Sequence, residues 1–201
     1  MVSNHRSILD APLLITALGQ DIHFLCHYYL TQVPLLNQCV AALGCIPLSQ
    51  GSRPPLTSLR QAAHCLQQRR SVGIFPEGAA TMVQHSDPRR VQPFHPGFLQ
   101  VALGSKVFPV GIVPAAIIVQ EEWQGLGIPL SLFRAFDPQE PLFQQSGSHP
   151  VVLYRQVLVR LGDPLWVGQT EQQLRGGARQ QWIDTHTQQM QAQIQELLMQ
   201  G

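Results

Sequence analysis

The sequence predicts an α/β fold: a single-domain αβ sandwich over residues 1–201, with a mixed central sheet, helices on its faces and a long C-terminal helix. Three observations carry that expectation. The chain has 201 residues with 44% hydrophobic side chains, enough to bury one core without disulfide or metal staples. Its apolar residues alternate between helical spacing and short runs cut off by glycine or proline, the pattern of interleaved helices and strands. It closes on a glutamine-rich amphipathic stretch, and glutamine accounts for 27 residues in all.

Taken in order, residues 12–18 read as a short apolar helix, with Asp10 as N-cap and Pro12 in the first turn. Residues 34–43 repeat Leu35, Leu36, Cys39, Val40 and Leu43 at helical spacing and stop at Gly44. Residues 45–48 form a short strand. A helix over 54–70 carries Leu56, Leu59, Ala62, Ala63 and Leu66 and places Arg69 and Arg70 at the negative end of its dipole. A buried strand over 71–75 ends at Pro76, and a polar loop runs to Pro96. Residues 97–103 read as a helix, and 107–110, 112–119 and 129–136 as strands. In 151–161 the residues Val157, Val159 and Leu161 share one strand face, preceded by a surface loop over 144–149. One long helix over 169–200 bears a stripe of Leu174, Trp182, Ile183, Met190, Ile194, Leu197 and Leu198 and packs on the sheet.

Charged residues make up 12%, about half the usual share of roughly 25%. The formal net charge is +1, which argues against a bulk electrostatic nucleic-acid binder. Cys26, Cys39, Cys45 and Cys65 stand in apolar surroundings without a Cys-x-x-Cys pair, as reduced, mostly buried thiols of a cytosolic-type compartment do. The longest apolar run, residues 111–119, is interrupted by Pro114 and falls short of the roughly 18 residues of a membrane span. No signal peptide is expected. Contact with a membrane is therefore expected to be peripheral, on its cytoplasmic face.

Chemistry concentrates in two motifs. In Asn4-His5-Arg6-Ser7-Ile8-Leu9-Asp10 the imidazole and the carboxylate face each other if His5 lies in a turn and Asp10 opens a helix. A neutral imidazole accepts a hydroxyl proton, while a carboxylate on its other nitrogen fixes the tautomer and stabilises the imidazolium that forms. No nucleophilic serine or cysteine is then required, because the acceptor brings the hydroxyl. The second motif, Phe75-Pro76-Glu77-Gly78, places a carboxylate just past the carboxyl end of a strand, where sites collect in open α/β sheets. Gly78 lets a backbone approach a ligand closely.

In this order and at this separation the motifs resemble the glycerolipid acyltransferase family, typified by 1-acyl-glycerol-3-phosphate acyltransferase. Asn4, His5 and Asp10 match its first block, Gly44-Cys45-Ile46-Pro47-Leu48 looks like its second, and Phe75 to Gly78 match its third. Val107-Phe108-Pro109-Val110 with Pro114 is similar to its fourth, and residues 157–165 to its closing strand. The resemblance implies transfer of a fatty acyl group from acyl-CoA or acyl-carrier protein, as co-substrate with no other cofactor, to a lipid hydroxyl in phospholipid biosynthesis. It implies His5 as general base, Asp10 as its orienting acid, and Asn4, Glu77, Gly78 and Arg53 as substrate-binding residues. Glu77 would bond the acceptor or organise its loop, backbone amides near Gly78 would hold the oxyanion, and an apolar groove would take the acyl chain. His95, before a glycine where relatives carry a basic residue, and Arg89 are further binding candidates.

The chain departs from that pattern at Gln50 and Ala80, where relatives carry arginines that would clamp an acceptor phosphate. A neutral lipid alcohol is therefore a second acceptor class. The chain begins three residues before Asn4, so the family's N-terminal helices and first strand are expected to be missing. Two other readings compete: a catalytically inactive relative that binds lipid or carrier protein, and a thioester hydrolase using the same base on water. A zinc site on His23 and His27 would need both on one helix face and lacks further ligands at typical spacing. No metal is expected.

Overall fold

The computed structural model describes residues 1–48, 56–78, 87–139 and 141–200. Its strands are β1 (Val2–Ser3), β2 (Ile22–Cys26), β3 (Ile46–Pro47), β4 (Ser71–Gly73), β5 (Val110–Ile112), β6 (Pro114–Pro129), β7 (Ser148–Leu161) and β8 (Leu165–Val167). The helices are α1 (Asp10–Leu18), α2 (Leu36–Ala42), α3 (Leu56–Gln67), α4 (Gly97–Gly104), α5 (Leu130–Arg134), α6 (Gln169–Gln173) and α7 (Gly176–Met199).

β2 pairs in parallel with β3 on one side and β4 on the other. β1 runs parallel to β6, and its Val2 also bridges Ile74 just past β4. β6 then pairs antiparallel with β7. The central sheet thus reads β3-β2-β4-β1-β6-β7, mixed as expected, with β5 and β8 a separate antiparallel pair. The strand expected to be absent before Asn4 is represented by Val2–Ser3, which lie between β4 and β6. Backbone bonds tie them to both sides, Val2 N to Val113 O at 2.9 Å and Ser3 N to Ile74 O at 3.2 Å.

One face of the sheet packs on α1, where Leu14 meets Ile22, Phe24, Ala115 and Ile117. The other is covered by α4 and α7, whose Phe98, Leu99, Met190 and Ile194 are buried against Ile112, Ala116 and Ile118, and by α3. Each such side chain stabilises the fold by roughly 1.5–3 kcal/mol through loss of water contact. The α7 stripe packs as expected, with Ile183, Met190, Ile194 and Leu198 buried.

Several expectations are corrected. Asp10 is the first residue of α1 rather than its N-cap; Leu9 holds that position without a side-chain cap bond. The expected strand over 129–136 is α5, because β6 continues to Pro129 and Leu130 and Phe133 then bury against Tyr29 and Phe143. The single helix over 169–200 is two, since Leu174 and Arg175 are extended between α6 and α7. Cys39 is exposed, on a helix that buries none of its residues. Gln50, Arg53 and Ala80 lie outside the described residues.

The β6–β7 hairpin changes phase along its length. Near the sheet centre Ala115 and Ile117 of β6, with Val157 and Val159 of β7, face α1. Register shifts follow between Val119 and Glu121 and between Glu121 and Glu122. Beyond them the paired Glu122 and Tyr154 turn to the α1 side, Glu122 toward Arg6 and Tyr154 toward Asp10. Re-aiming side chains is what bulges do in antiparallel pairs.

Candidate active site

β1 and β4 end side by side, and each delivers one motif from its carboxyl end. Past β1 the chain turns through Asn4 to Leu9 and enters α1. His5 and Asp10 close that turn with a 2.8 Å contact from Nδ1 to Oδ2. The backbone amides of Arg6 and Ser7 donate to the same oxygen at 2.7 and 2.8 Å. Tyr154 donates its hydroxyl to the other oxygen, Oδ1, at 2.6 Å. Asp10 is fully buried, and these four bonds are what permit a carboxylate there. The side chain of His5 retains 15% exposure. With Nδ1 turned to the acid, that nitrogen carries the ring proton and Nε2 on the far edge is free to accept one.

The second motif meets the first directly. Glu77 Oε1 accepts from the His5 backbone N–H at 2.8 Å, and Oε2 accepts from Gln92 N–H at 2.7 Å. Glu77 is 3% exposed, and burial pushes its carboxyl above the ordinary carboxylate range while the two amide bonds pull it back. Phe75 stacks on the His5 ring with centroids 4.3 Å apart, and Phe24 stacks on Phe75 at 5.0 Å. Gly73 makes room for that column, because a Cβ there would land inside the Phe24 ring. Gly78 has φ +69° and closes a turn with its N–H on Phe75 O at 3.3 Å. The His95 ring lies beside it, so that a Cβ at Gly78 would come within 3.1 Å of the imidazole.

The structure therefore joins His5, Asp10, Glu77, Gly78 and His95 in one place. It gives Asn4 a framework role: its amide is buried and bonds both the N–H and the C=O of Ile117, at 2.8 and 3.1 Å, extending the β1–β6 pairing. Glu77, with both oxygens on backbone amides, organises the loop. Arg89 has an exposed side chain in the turn that begins at Asp87. His23 lies in β2 and bonds Gly44 O at 2.7 Å, so the helical pairing with His27 does not form.

Contacts not visible in the sequence fasten the His5 turn to the hairpin. Arg6 holds Glu122 through two bonds of 2.8 and 2.6 Å, which lowers the Glu122 carboxyl below its usual range. Ser7 Oγ donates to Val152 O at 2.8 Å. A separate cavity of about 390 Å³ opens among Met1, Ile22, Val72, Phe98 and Ile112, at the amino ends of the parallel strands, and does not include the His5 site.

The fold is a layered α/β sandwich in which a histidine–aspartate turn faces a Phe-Pro-Glu-Gly loop. Residues 1–118, more than half of the chain, match the family model described as Acyltransferase, and the chain belongs to that family. No curated protein matches closely enough to count as a relative. Among solved structures the chain is similar in fold to the 1-acyl-sn-glycerophosphate (LPA) acyltransferase PlsC from Thermotoga maritima. The TM-score is 0.50 at 20% sequence identity, over 98% of this chain and 64% of that one. The chain thus spans just under two thirds of that protein's length.

Proposed function

We propose that the protein moves a fatty acyl group from a thioester, acyl-CoA or acyl-carrier protein, to the hydroxyl of a glycerolipid acceptor. The observation that carries this reading is the 2.8 Å His5–Asp10 pair, anchored to the Glu77 loop through the His5 backbone. His5 Nε2 takes the proton from the acceptor hydroxyl as that oxygen attacks the thioester carbonyl. The C–O bond forms and the C–S bond breaks, and the departing thiolate takes the proton back from His5 to leave as a thiol. Asp10 keeps the ring oriented and balances its positive charge meanwhile. Backbone amides near Gly78 are the candidate donors to the transient oxyanion. The thioester is a co-substrate, and the scheme draws on no further cofactor or metal.

The default acceptor, from the family and the PlsC-like fold, is 1-acyl-glycerol-3-phosphate, giving phosphatidic acid. A non-phosphate lipid alcohol is the second reading, favoured by Gln50 and Ala80 in place of arginines. Work at a membrane surface is the reading that the exposed apolar side chains near the site support. Ile8 and Leu9 of the catalytic turn are exposed, as are Trp123 and Leu126 of the hairpin bonded to that turn. No helix of the described residues is long and apolar enough to cross a membrane. The contact we propose is peripheral and cytoplasmic, by way of these exposed side chains.

The test is thioester turnover against lysophosphatidic acid and neutral lipid alcohols presented in vesicles. Acceptor-dependent turnover is expected, falling by about 10²–10⁴ in His5→Ala. Turnover without any acceptor would favour the hydrolase, and no turnover with any acceptor would favour the inactive lipid-binding relative.

A further inference from the structure

We infer that Tyr154 is a positioning residue of the His5–Asp10 pair, holding the carboxylate from the side opposite the imidazole and setting how strongly it retains the proton on His5. The inference rests on the reading of His5 as general base and adds a third, distant member to the pair.

Asp10 has two oxygens with different duties. Oδ2 serves the imidazole and two backbone amides of its own turn. Oδ1 accepts from Tyr154, and the 2.6 Å length is that of an O–H donor bonding an anion. Without that bond Oδ1 of the fully buried Asp10 would lose its tyrosine donor. Packing alone does not demand the hydroxyl, because a phenyl ring would fill the same space beside Val157 and Val159. The side chain reaches Asp10 only because the register shifts near Glu121 turn it to the α1 face. Burial and the Asp10 carboxylate keep the phenol protonated well above its ordinary range, so that it remains a donor. Tyr154 also lies beyond residues 1–118, outside the segment that matches the family model.

The effect has a sign. A phenol that shares the anion's charge weakens its hold on the imidazolium proton; removing the hydroxyl strengthens that hold and frees the carboxylate to swivel. Asp10 from α1, Arg6 from the turn and Glu122 from β6 face Tyr154, and Glu77 and His149 act on the same site. Tyr154→Phe leaves all of these in place and removes one bond.

The experiment is the pH dependence of acyl transfer by the full chain, comparing wild type, Tyr154→Phe and site-specific Tyr154→3,5-difluorotyrosine, whose more acidic phenol donates more strongly. For Tyr154→Phe, kcat is expected to fall about tenfold with KM for either substrate little changed, matching one charge-assisted hydrogen bond. The acid limb of its kcat profile is expected to move to higher pH, and that of the difluorotyrosine variant to lower pH. A Tyr154→Phe variant that is slower with an unmoved limb means the residue only supports packing, and overturns the inference. So do profiles that all superimpose. If Tyr154→Phe does not fold, the difluorotyrosine profile decides alone. Full activity in His5→Ala, run alongside, would strike the general-base reading instead.

Discussion

At the scale of single residues, the imidazole of His5 is fixed on three sides: by Asp10 through its ring nitrogen, by Phe75 through its face and by Glu77 through its backbone. In the proposed role of general base, so rigid a setting leaves little to reorganise when the substrate arrives. Glu77→Gln checks the backbone part. It turns one of two acceptors into a donor facing a backbone N–H, so urea denaturation is expected to show a loss of about 1–3 kcal/mol. The pH dependence carries a sign as well. The folded-state Glu77 carboxyl lies above its ordinary 4.5, so its share of stability is full below that value and declines as pH rises through the shifted one; Glu77→Gln removes that decline. A variant as stable as wild type, with the same pH slope, would contradict the role. His5, Asp10, Glu77 and Gly78 were legible in the sequence because motif spacing is local. Tyr154 and Glu122 were not, because strict alternation along β7, which places Val157 and Val159 on the α1 face, puts Tyr154 on the other; only the register shifts reverse it.

At the scale of elements, the site depends on two adjacent strands ending together and on an aromatic column that locks their loops. Phe24 from β2 and Phe75 after β4 carry packing from the sheet to the His5 ring. Gly73→Ala tests the column from its base. The added methyl meets the Phe24 ring, so the variant is expected to lose about 1–3 kcal/mol of stability, as overpacked positions do. It should also lose acyl transfer, although Gly73 touches no reacting atom. Unchanged melting and activity would show that the column is incidental. Helix and strand identities were mostly readable from hydrophobic period. The exceptions share a cause: 129–136 and 174–175 are set by tertiary packing and backbone geometry rather than by their own pattern, which is apolar in one case and helix-like in the other.

At the scale of the whole molecule, three parts of the chain far apart in sequence converge on one carboxylate. The turn after β1 supplies the pair, the loop after β4 anchors its backbone, and the hairpin braces it through Arg6–Glu122, Ser7–Val152 and Asp10–Tyr154. The family match ends at residue 118, before the bracing residues of the hairpin. The His5–Asp10 pair thus lies inside the matched segment, and the hairpin residues bonded to its turn lie beyond it. The central claim is that His5 and Asp10 act as one unit, and the most direct measurement is a double-mutant cycle in acyl-transfer kcat. His5→Ala and Asp10→Asn are each expected to be slow, and the double variant no slower than His5→Ala alone, as for residues that act together. Near-wild-type turnover in His5→Ala, or losses that multiply in the double variant, would contradict the account.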